Sequence, residues 1–141
     1  VGNNVIMANH ATLAGHVTVQ DHVIIGGLAA VHQFVTIGTH AIIGGMSGVE
    51  HDVIPYGNVK GDRALLSGLN LIGLRRRGFD RDSIDNLRKA YDHIFSAEDS
   101  LAQKVQEISK MFPDDAQVQQ LVAFLSRENM RSVLTPKGVR E

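Results

Sequence analysis

Histidine is the side chain of this sequence that is most able to do chemistry, because the chain has seven histidines and no cysteine. Four of them, His10, His16, His22 and His40, are separated by multiples of six residues. An imidazole titrates near neutral pH, so it can act as a general base or as a metal ligand. His22 and His40 could mimic a metal pair, but a zinc site takes further ligands and no third one is evident. We therefore predict no metal site.

Two other stretches combine side chains that could bind a ligand. His32, Gln33 and Phe34 place bulky residues in succession, and a local departure from a regular pattern often marks function. They either line a ligand cleft or form a packed contact between subunits. Residues 75–77 are three arginines, the densest run of charge in the chain. Such a run is either a solvated face or an anion site, since guanidinium groups pair well with pyrophosphate.

Six of the seven histidines lie in residues 1–54, which repeat with a period of six. Nine hexads follow Val1 without an insertion, and each has an apolar first position and Val, Ala or Ser at the fifth. This period differs from the 3.6-residue helix period and suits short strands separated by corners. We predict a parallel β-helix of three coils, with the first and fifth positions inward. Residues 18 apart, such as His22 and His40, should then stack one coil apart.

The corners of this β-helix should lie at the third and fourth positions of each hexad. Six of the nine third positions are Gly, Asn or Asp, the residue types that tolerate a positive φ. The sequence therefore predicts left-handed backbone at the third position. The four histidines at the fourth position could also be corner residues without a function, since His is another type enriched at unusual φ.

The remainder of the chain has a different architecture. All 14 basic residues follow residue 59, which places a seam near 55–70. Residues 55–79 are rich in Gly and are predicted to be a connecting loop. Residues 80–141 are predicted to form a small α-helical C-terminal domain whose last residues, 135–141, are a mobile tail.

Apolar residues at helical spacing predict three helices in this C-terminal domain. The first should begin after Asp80 or Asp82 and the second after Ser100, because these side chains can cap a helix N-terminus. The third should begin after Asp114 or Asp115, beyond the proline that ends the second.

Composition limits the function classes. The net charge of −1 argues against a general nucleic-acid binder. The sequence has no apolar run of about 18 residues, so we predict no membrane span. Val1 is followed by Gly-Asn-Asn rather than by a basic and then apolar stretch, so we expect no signal peptide. A cytoplasmic protein is the default expectation.

Several stretches are more specific than the hexads themselves. They are NHATLAGHVTV (9–19), IGGLAAVHQFVTIG (25–38), IIGGMSGVEHDVIPYG (42–57) and GLNLIGLRRRGF (68–79). The hexads resemble those of the left-handed β-helix acyltransferases, and these stretches resemble the UDP-N-acetylglucosamine O-acyltransferases of lipid A biosynthesis. The resemblance covers essentially the whole chain but only the C-terminal half of that family. It implies an all-β left-handed parallel β-helix followed by a small α-helical domain.

The resemblance also implies a reaction. A homotrimer would transfer a 3-hydroxyacyl group from acyl carrier protein to the 3-hydroxyl of UDP-N-acetylglucosamine, with no cofactor. A His would act as general base and a backbone N–H would stabilise the oxyanion. The base of the family is the second His of a His-x-x-His-Asp stretch, which this sequence does not contain. The chain alone is therefore expected to be inactive.

The family's other site residues carry over one by one. Gly15 would supply the oxyanion N–H, while substrate binding would fall to His16, His32, Gln33, Asn70, Arg76 and Arg77. Asn9, Gly27 and Gly45 would form a track for the acyl chain or the pantetheine arm, although Gly27 and Gly45 could equally be corner glycines. Basic residues near the arginine run could attract the acidic carrier protein; they are Lys60, Arg63, Arg81 and Arg88.

Two alternatives remain open. One is the related UDP-3-O-acylglucosamine N-acyltransferase, which shares the hexads but is less compatible with the HQF and GLRRRGF stretches. The other is a non-catalytic module that binds a UDP-sugar or forms a trimer.

Overall fold

The computed structural model describes residues 1–96, 99–128 and 130–139. The chain forms two compact units, and each is described by itself. The β unit comprises Val1–Asn70 together with the C-terminal segment from Arg131, and the helical unit comprises Leu71–Met130.

The hexads form a left-handed parallel β-helix, as the sequence predicts. Strands one coil apart pair in parallel with an offset of 18 residues, as in Ile24 with Ile42. Eight strands of two residues each lie on three faces; they are β1 (Ile6–Met7), β2 (Thr12–Leu13), β3 (Thr18–Val19), β4 (Ile24–Ile25), β5 (Ala30–Val31), β6 (Thr36–Ile37), β7 (Ile42–Ile43) and β8 (Gly48–Val49).

The core of the β-helix is a column of small and aliphatic side chains. The predicted inward positions are confirmed in the second and third coils, where Ile25, Ile37 and Ile43 at the first position and Val23 and Val35 at the fifth are fully buried. In the first coil, which has no described coil stacked on its N-terminal side, Val1 and Met7 are exposed. Burying these side chains offsets the entropy lost when such short strands are ordered.

The corners of the coils correct one prediction. Positive φ is found at the fourth position of the first eight hexads, not at the third; the residues with φ between 53° and 66° include His16, Leu28 and Phe34. The glycines Gly15, Gly27 and Gly45 are not in this conformation. Gly27 and Gly45 stand instead where coils approach closely, because a Cβ on Gly45 would lie 3.3 Å from the Gly27 carbonyl oxygen.

Residues 55–79 also differ from the predicted loop. They contain β9 (Gly57–Lys60), β10 (Leu65–Leu69) and α1 (Leu71–Arg76). β9 extends the sheet of β7 in parallel, and β10 folds back antiparallel on β9. β9 pairs with β7 at an offset of 16 residues rather than 18, since Ile42 lies opposite Asn58. The hexad period is broken at this coil, which is why the sequence pattern does not reveal the strand.

The C-terminal segment returns to the β-helix rather than extending the helices. Asp52 donates its N–H to the Ser132 carbonyl at 3.0 Å, and its own carbonyl accepts the Leu134 N–H at 2.8 Å. Within the predicted tail, the Thr135 carbonyl accepts the Leu66 N–H at 3.1 Å. Residues 135–139 are thus part of the β unit, whereas 140–141 lie outside the described residues.

The helical unit contains the three predicted helices. They are α2 (Arg81–Ile94), α3 (Leu101–Met111) and α4 (Ala116–Leu125). The N-caps are Asp80, Ser100 and Asp115, whose side chains accept backbone N–H groups of the first turn. In their core, Leu87, Ile108 and Leu121 are fully buried.

Among the described residues, no helix combines the length and the apolar character needed to cross a membrane.

Candidate functional site

The fourth hexad positions stack into three columns, which we call corner ladders. The first ladder is His10, Leu28 and Met46, the second is His16 and Phe34, and the third is Asn4, His22 and His40. Tyr56, which has the same left-handed φ but lies beyond the hexads, continues the third ladder. In the third, the rings of His22 and His40 stack at 4.6 Å between centroids, which confirms the expected stacking, and Tyr56 follows at 5.5 Å. Each ladder arises because residues with the same left-handed φ recur once per coil.

Gly15 and His16, the predicted oxyanion donor and substrate contact, form one corner of the β-helix. A Cβ at Gly15 would have no described heavy atom within 4 Å, so its backbone is open to a ligand. The Gly15 carbonyl accepts the Phe34 N–H at 3.0 Å, whereas its own N–H has no hydrogen-bond partner among the described residues. His16 is exposed, and its ring stacks on that of Phe34.

Among the third-position amides, only two have a described hydrogen-bond partner, and both donate to a side chain of a neighbouring coil. The Asn3 N–H donates to the Asp21 carboxylate at 2.7 Å, and the Thr39 N–H donates to Gln20 at 2.9 Å. The Gly15 N–H shares its available state with most third-position amides, but unlike Gly27 and Gly45, Gly15 has no described atom within 4 Å of a Cβ position. An oxyanion site needs both an available donor and room for the ligand.

His32 and Gln33 lie on the same face as Gly15, one coil further on. Nδ1 of His32 is 3.1 Å from the Gln33 carbonyl oxygen, and both side chains are exposed. A hydrogen bond from Nδ1 to this carbonyl would leave Nε2 as an acceptor for a ligand. His32 also borders a cavity of about 530 Å³; the other lining residues are Glu50, His51, Arg131 and Ser132.

Asn9, Gly27 and Gly45, the predicted acyl or pantetheine track, occupy the same corner of three successive coils. The Asn9 carbonyl accepts the Leu28 N–H at 3.1 Å, and the Gly27 carbonyl accepts the Met46 N–H at 2.9 Å. Because Gly27 and Gly45 have no side chain, the backbone of the second and third coils is not covered along this edge. The two exposed side chains beside it, Leu28 and Met46, are apolar and 60% and 73% accessible.

Asn70, a predicted nucleotide contact, is only 8% exposed. Its side-chain nitrogen donates to the His40 carbonyl at 3.0 Å, and its backbone N–H donates to the Tyr56 carbonyl at 2.6 Å. The structure therefore gives Asn70 a clear role in holding the end of the β unit. The side-chain nitrogen that bonds to His40 belongs to the same amide that we predict from the sequence to contact the nucleotide.

Arg76 and Arg77 belong to the helical unit. Arg76 is the last residue of α1, and Arg77 follows it, with its N–H bonded to the Gly73 carbonyl at 3.0 Å. Both side chains are exposed, as a guanidinium pair must be to bind a pyrophosphate.

Two ionisable groups have shifted pKa values. The hydrogen bond from the Asn3 backbone lowers the pKa of the exposed Asp21 carboxyl, with smaller contributions from the Asn3 side chain, His22 and His40. Burial raises the pKa of Tyr91 to about 12, with a contribution from Asp92. Within residues 1–96, 99–128 and 130–139, no three His, Cys, Asp or Glu side chains are grouped to hold a metal ion.

Arg131, which lines the cavity beside His32, belongs to no motif or repeat of the sequence. It reaches the site because the segment that follows it pairs with Asp52, and no local pattern signals such a return. The stacking of His16 on Phe34 could have been found from their spacing of 18 residues, the same argument that identifies His22 and His40.

Comparison with known proteins identifies the family. A family profile described as UDP N-acetylglucosamine O-acyltransferase, domain 2, matches residues 52–134, more than half of the chain. The chain belongs to the UDP-N-acetylglucosamine O-acyltransferase family. Its curated relatives carry the name acyl-[acyl-carrier-protein]–UDP-N-acetylglucosamine O-acyltransferase, so this is a family of enzymes.

Two of these relatives show the extent of the match. The Sinorhizobium fredii protein is 41% identical over 136 residues, and the Rhizobium etli protein is 45% identical over 136 residues. In both cases the match covers 96% of this chain and 50% of the relative. The chain therefore spans about half the length of the curated relatives that it matches.

Solved structures of family members agree with this fold. The Arabidopsis UDP-N-acetylglucosamine acyltransferase is 38% identical with a TM-score of 0.87, covering 95% of this chain and 50% of its own. The Moraxella catarrhalis O-acyltransferase is 32% identical with a TM-score of 0.88, covering 95% and 52%.

Proposed function

We propose that this chain is the C-terminal half of an enzyme that transfers a 3-hydroxyacyl group from acyl carrier protein to the 3-hydroxyl of UDP-N-acetylglucosamine, the first step of lipid A synthesis. One observation carries the proposal: relatives whose names state this acyl donor and acceptor match 96% of the chain at 41–45% identity.

The reaction needs a base, an oxyanion donor and positioning of two substrates. The sugar hydroxyl oxygen bonds to the thioester carbonyl carbon while a base takes its proton. The tetrahedral intermediate then collapses, the carbon–sulfur bond breaks, and the proton passes to the departing thiolate of the carrier arm. The base that the family resemblance implies, in a His-x-x-His-Asp stretch, is not in this sequence.

The residues of this chain would supply the oxyanion donor and the groups that position the two substrates. The Gly15 N–H, which is available at an open corner, would donate to the oxyanion. His16, His32 and Gln33 would contact the sugar nucleotide, and Asn70 would do so through the part of its amide that does not bond to His40. Arg76 and Arg77 would bind the pyrophosphate. The bare edge along Asn9, Gly27 and Gly45, with its apolar border, would accept the acyl chain or pantetheine arm.

The proposal extends to assembly and location. We propose a homotrimer in the cytoplasm, where UDP-N-acetylglucosamine and the acyl carrier protein are its substrates, with basic residues of the chain attracting the acidic carrier. The division of the chain that we predict from its sequence, with coils over 1–54, a connection over 55–79 and a C-terminal domain over 80–141, stays a proposal about domains.

A chimera tests the proposed function directly. The N-terminal half of the Sinorhizobium fredii relative is joined to this chain at the boundary of their alignment and is assayed with UDP-N-acetylglucosamine and 3-hydroxyacyl carrier protein. We expect acyl transfer, because the relative supplies the base and this chain supplies the remaining groups. A folded chimera without transfer, beside an active relative, would contradict the proposal.

Two variants of the chimera sharpen the test. Arg76→Gln should raise the KM for UDP-N-acetylglucosamine roughly tenfold through loss of a charged hydrogen bond. Lys110→Gln, which removes one exposed positive charge from the same unit, should leave it unchanged. Transfer to the amine of UDP-3-O-acylglucosamine instead would favour the N-acyltransferase alternative.

The 141-residue chain alone provides a second test. Its intact mass and its activity are measured on the same sample, and we expect weak UDP-sugar binding and no turnover. Turnover at the mass of this chain would mean that another histidine, such as His16 or His32, is the base.

A further inference from the structure

We infer that Phe34 and Arg131 are positioning residues for His16, which they hold in one orientation: the Phe34 ring stacks on the imidazole, and the Arg131 guanidinium lies over the Phe34 ring. This inference rests on the proposed function, in which the His16 imidazole contacts the sugar nucleotide.

The stack consists of two rings on successive coils. His16 and Phe34 have φ values of 60° and 66°, and the Phe34 N–H donates to the Gly15 carbonyl at 3.0 Å. Their side chains therefore leave the backbone in the same direction. The ring centroids are 4.8 Å apart and the ring planes differ by only 4°. Parallel rings at this separation attract each other beyond the area that they bury.

Arg131 contacts the Phe34 ring from the C-terminal segment. Its guanidinium carbon is 5.1 Å from the centroid of the Phe34 ring, within the range of a cation–π contact. The segment is fixed there by backbone pairing with Asp52, which follows Phe34 by one coil. Arg131 thus approaches from the C-terminal side of Phe34, while His16 lies on the N-terminal side.

This arrangement determines what His16 can offer a ligand. The imidazole is exposed, and an exposed side chain would otherwise sample several rotamers. Stacking covers one face of the ring and leaves its edge, which carries both nitrogens, open to hydrogen bonding. An orientation set before the ligand arrives removes the entropy cost of ordering the ring on binding.

The β-helix does not itself require an aromatic ring at this corner. In the first ladder, Leu28 and Met46 occupy the same fourth position with φ values of 60° and 61°. Leucine is therefore compatible with the corner that Phe34 occupies, and Phe34→Leu is a variant that removes the stack without removing the turn.

The experiment measures the His16 ring and the affinity for UDP-N-acetylglucosamine in the chimera described above. By ¹H–¹³C NMR, the carbon-bound protons of His16 should lie upfield, in the ring current of Phe34, and should move downfield in Phe34→Leu. By calorimetry, Phe34→Leu should bind UDP-N-acetylglucosamine roughly three- to tenfold more weakly. Arg131→Met should have a smaller effect, and Phe34→Tyr should restore both the shift and the affinity.

Two controls separate positioning from a general structural effect. His22→Leu removes a stacked ring from the same hexad position of the third ladder, so the affinity should not change. In a His16→Ala background, Phe34→Leu should cause no further loss, because the group that it positions is gone.

The outcomes distinguish the two proposals. If the unmodified chimera binds no UDP-N-acetylglucosamine, the proposed function fails and this inference fails with it. If the unmodified chimera binds and Phe34→Leu binds equally well, or loses the same affinity with His16 already removed, only the inference is overturned. An unchanged His16 shift in Phe34→Leu would also overturn it.

Discussion

The β unit and the helical unit are packed in different ways. In the β-helix, backbones of successive coils approach so closely that a Cβ on Gly26 would meet backbone atoms of Gly44 and Gly45. In the helical unit, packing is between side chains such as Leu87 and Leu121, both fully buried. We therefore expect the coils to be most sensitive to added atoms and the helices to removed ones.

The largest expected effect is the removal of a core side chain in the helical unit. Leu121→Ala should lower the free energy of unfolding by about 3 kcal/mol, because it removes buried methyl groups and leaves a cavity. Urea unfolding followed by circular dichroism at 222 nm, which reports on the helices, measures this. Met111→Ala, at a side chain that is 52% exposed, is the control and should change little. Equal losses for the two variants would show that burial of the Leu121 side chain is not what stabilises the helical unit.

The next effect is the addition of one methyl group between coils. Gly26→Ala should lower the free energy of unfolding by about 2 kcal/mol, since the methyl group would overlap backbone that cannot rotate away. The chain has two tyrosines, one in each unit, so Tyr56 fluorescence in a Tyr91→Phe background reports on the β unit.

Gly15→Ala is the matched control for this comparison. Its Cβ would have no described atom within 4 Å, so the stability should be close to that of the parent. If Gly26→Ala and Gly15→Ala were equally stable, close packing of the coils would not be the reason that position 26 is a glycine.

A smaller effect is expected at a helix N-terminus. Asp115 accepts the N–H groups of Gln117 and Val118, each at 3.0 Å, and so caps α4. Asp115→Ala should lower the free energy of unfolding by about 1 kcal/mol. Asp114→Ala removes an adjacent exposed carboxylate and is the control. A cap that stabilises α4 predicts the larger loss for Asp115, and the reverse order would contradict it.

The smallest effect concerns pH and the β unit. The pKa of Asp21 is lowered in the folded state by its hydrogen bond from the Asn3 backbone, so its contribution to stability is present above the unfolded pKa, near 3.8. That contribution is lost as the pH falls through the lower folded pKa.

The variant Asp21→Asn isolates this contribution. It should therefore be less stable than the parent at neutral pH and should approach it in acid. Urea midpoints at several pH values below 6 measure the difference. A difference that is independent of pH would show that the carboxylate charge is not the cause.

Parts of the fold and of the site could be predicted from the sequence because the interactions that form them either join residues close in sequence or recur with a fixed period. The hexad pattern predicts which side chains are buried, since every coil repeats the same inward positions. Helix caps such as Asp80 and Ser100 are identified because a cap acts on backbone N–H groups only two or three residues away. The stacking of His22 on His40 follows from the coil length alone.

Other features depend on long-range pairing. The strand β9 was missed because its register departs from the repeat, and Arg131 was missed because its segment crosses back to Asp52. The prediction of positive φ at the third position was wrong because glycine is found for two different reasons. It can adopt a positive φ, and it also allows two backbones to approach closely. In this β-helix, Gly27 and Gly45 are present for the second reason, while His16 and Phe34 adopt the positive φ.

The β-helical coils, the three C-terminal helices and the family resemblance can be recognised in the sequence alone, because periodicity and helix capping act within a few residues along the chain. The tertiary structure is needed to show that residues 131–139 join the β unit, that Asn70 is buried, and that Arg131, Phe34 and His16 contact one another in succession. Those contacts join residues far apart in sequence, and their free energy depends on backbone pairing that no local pattern encodes.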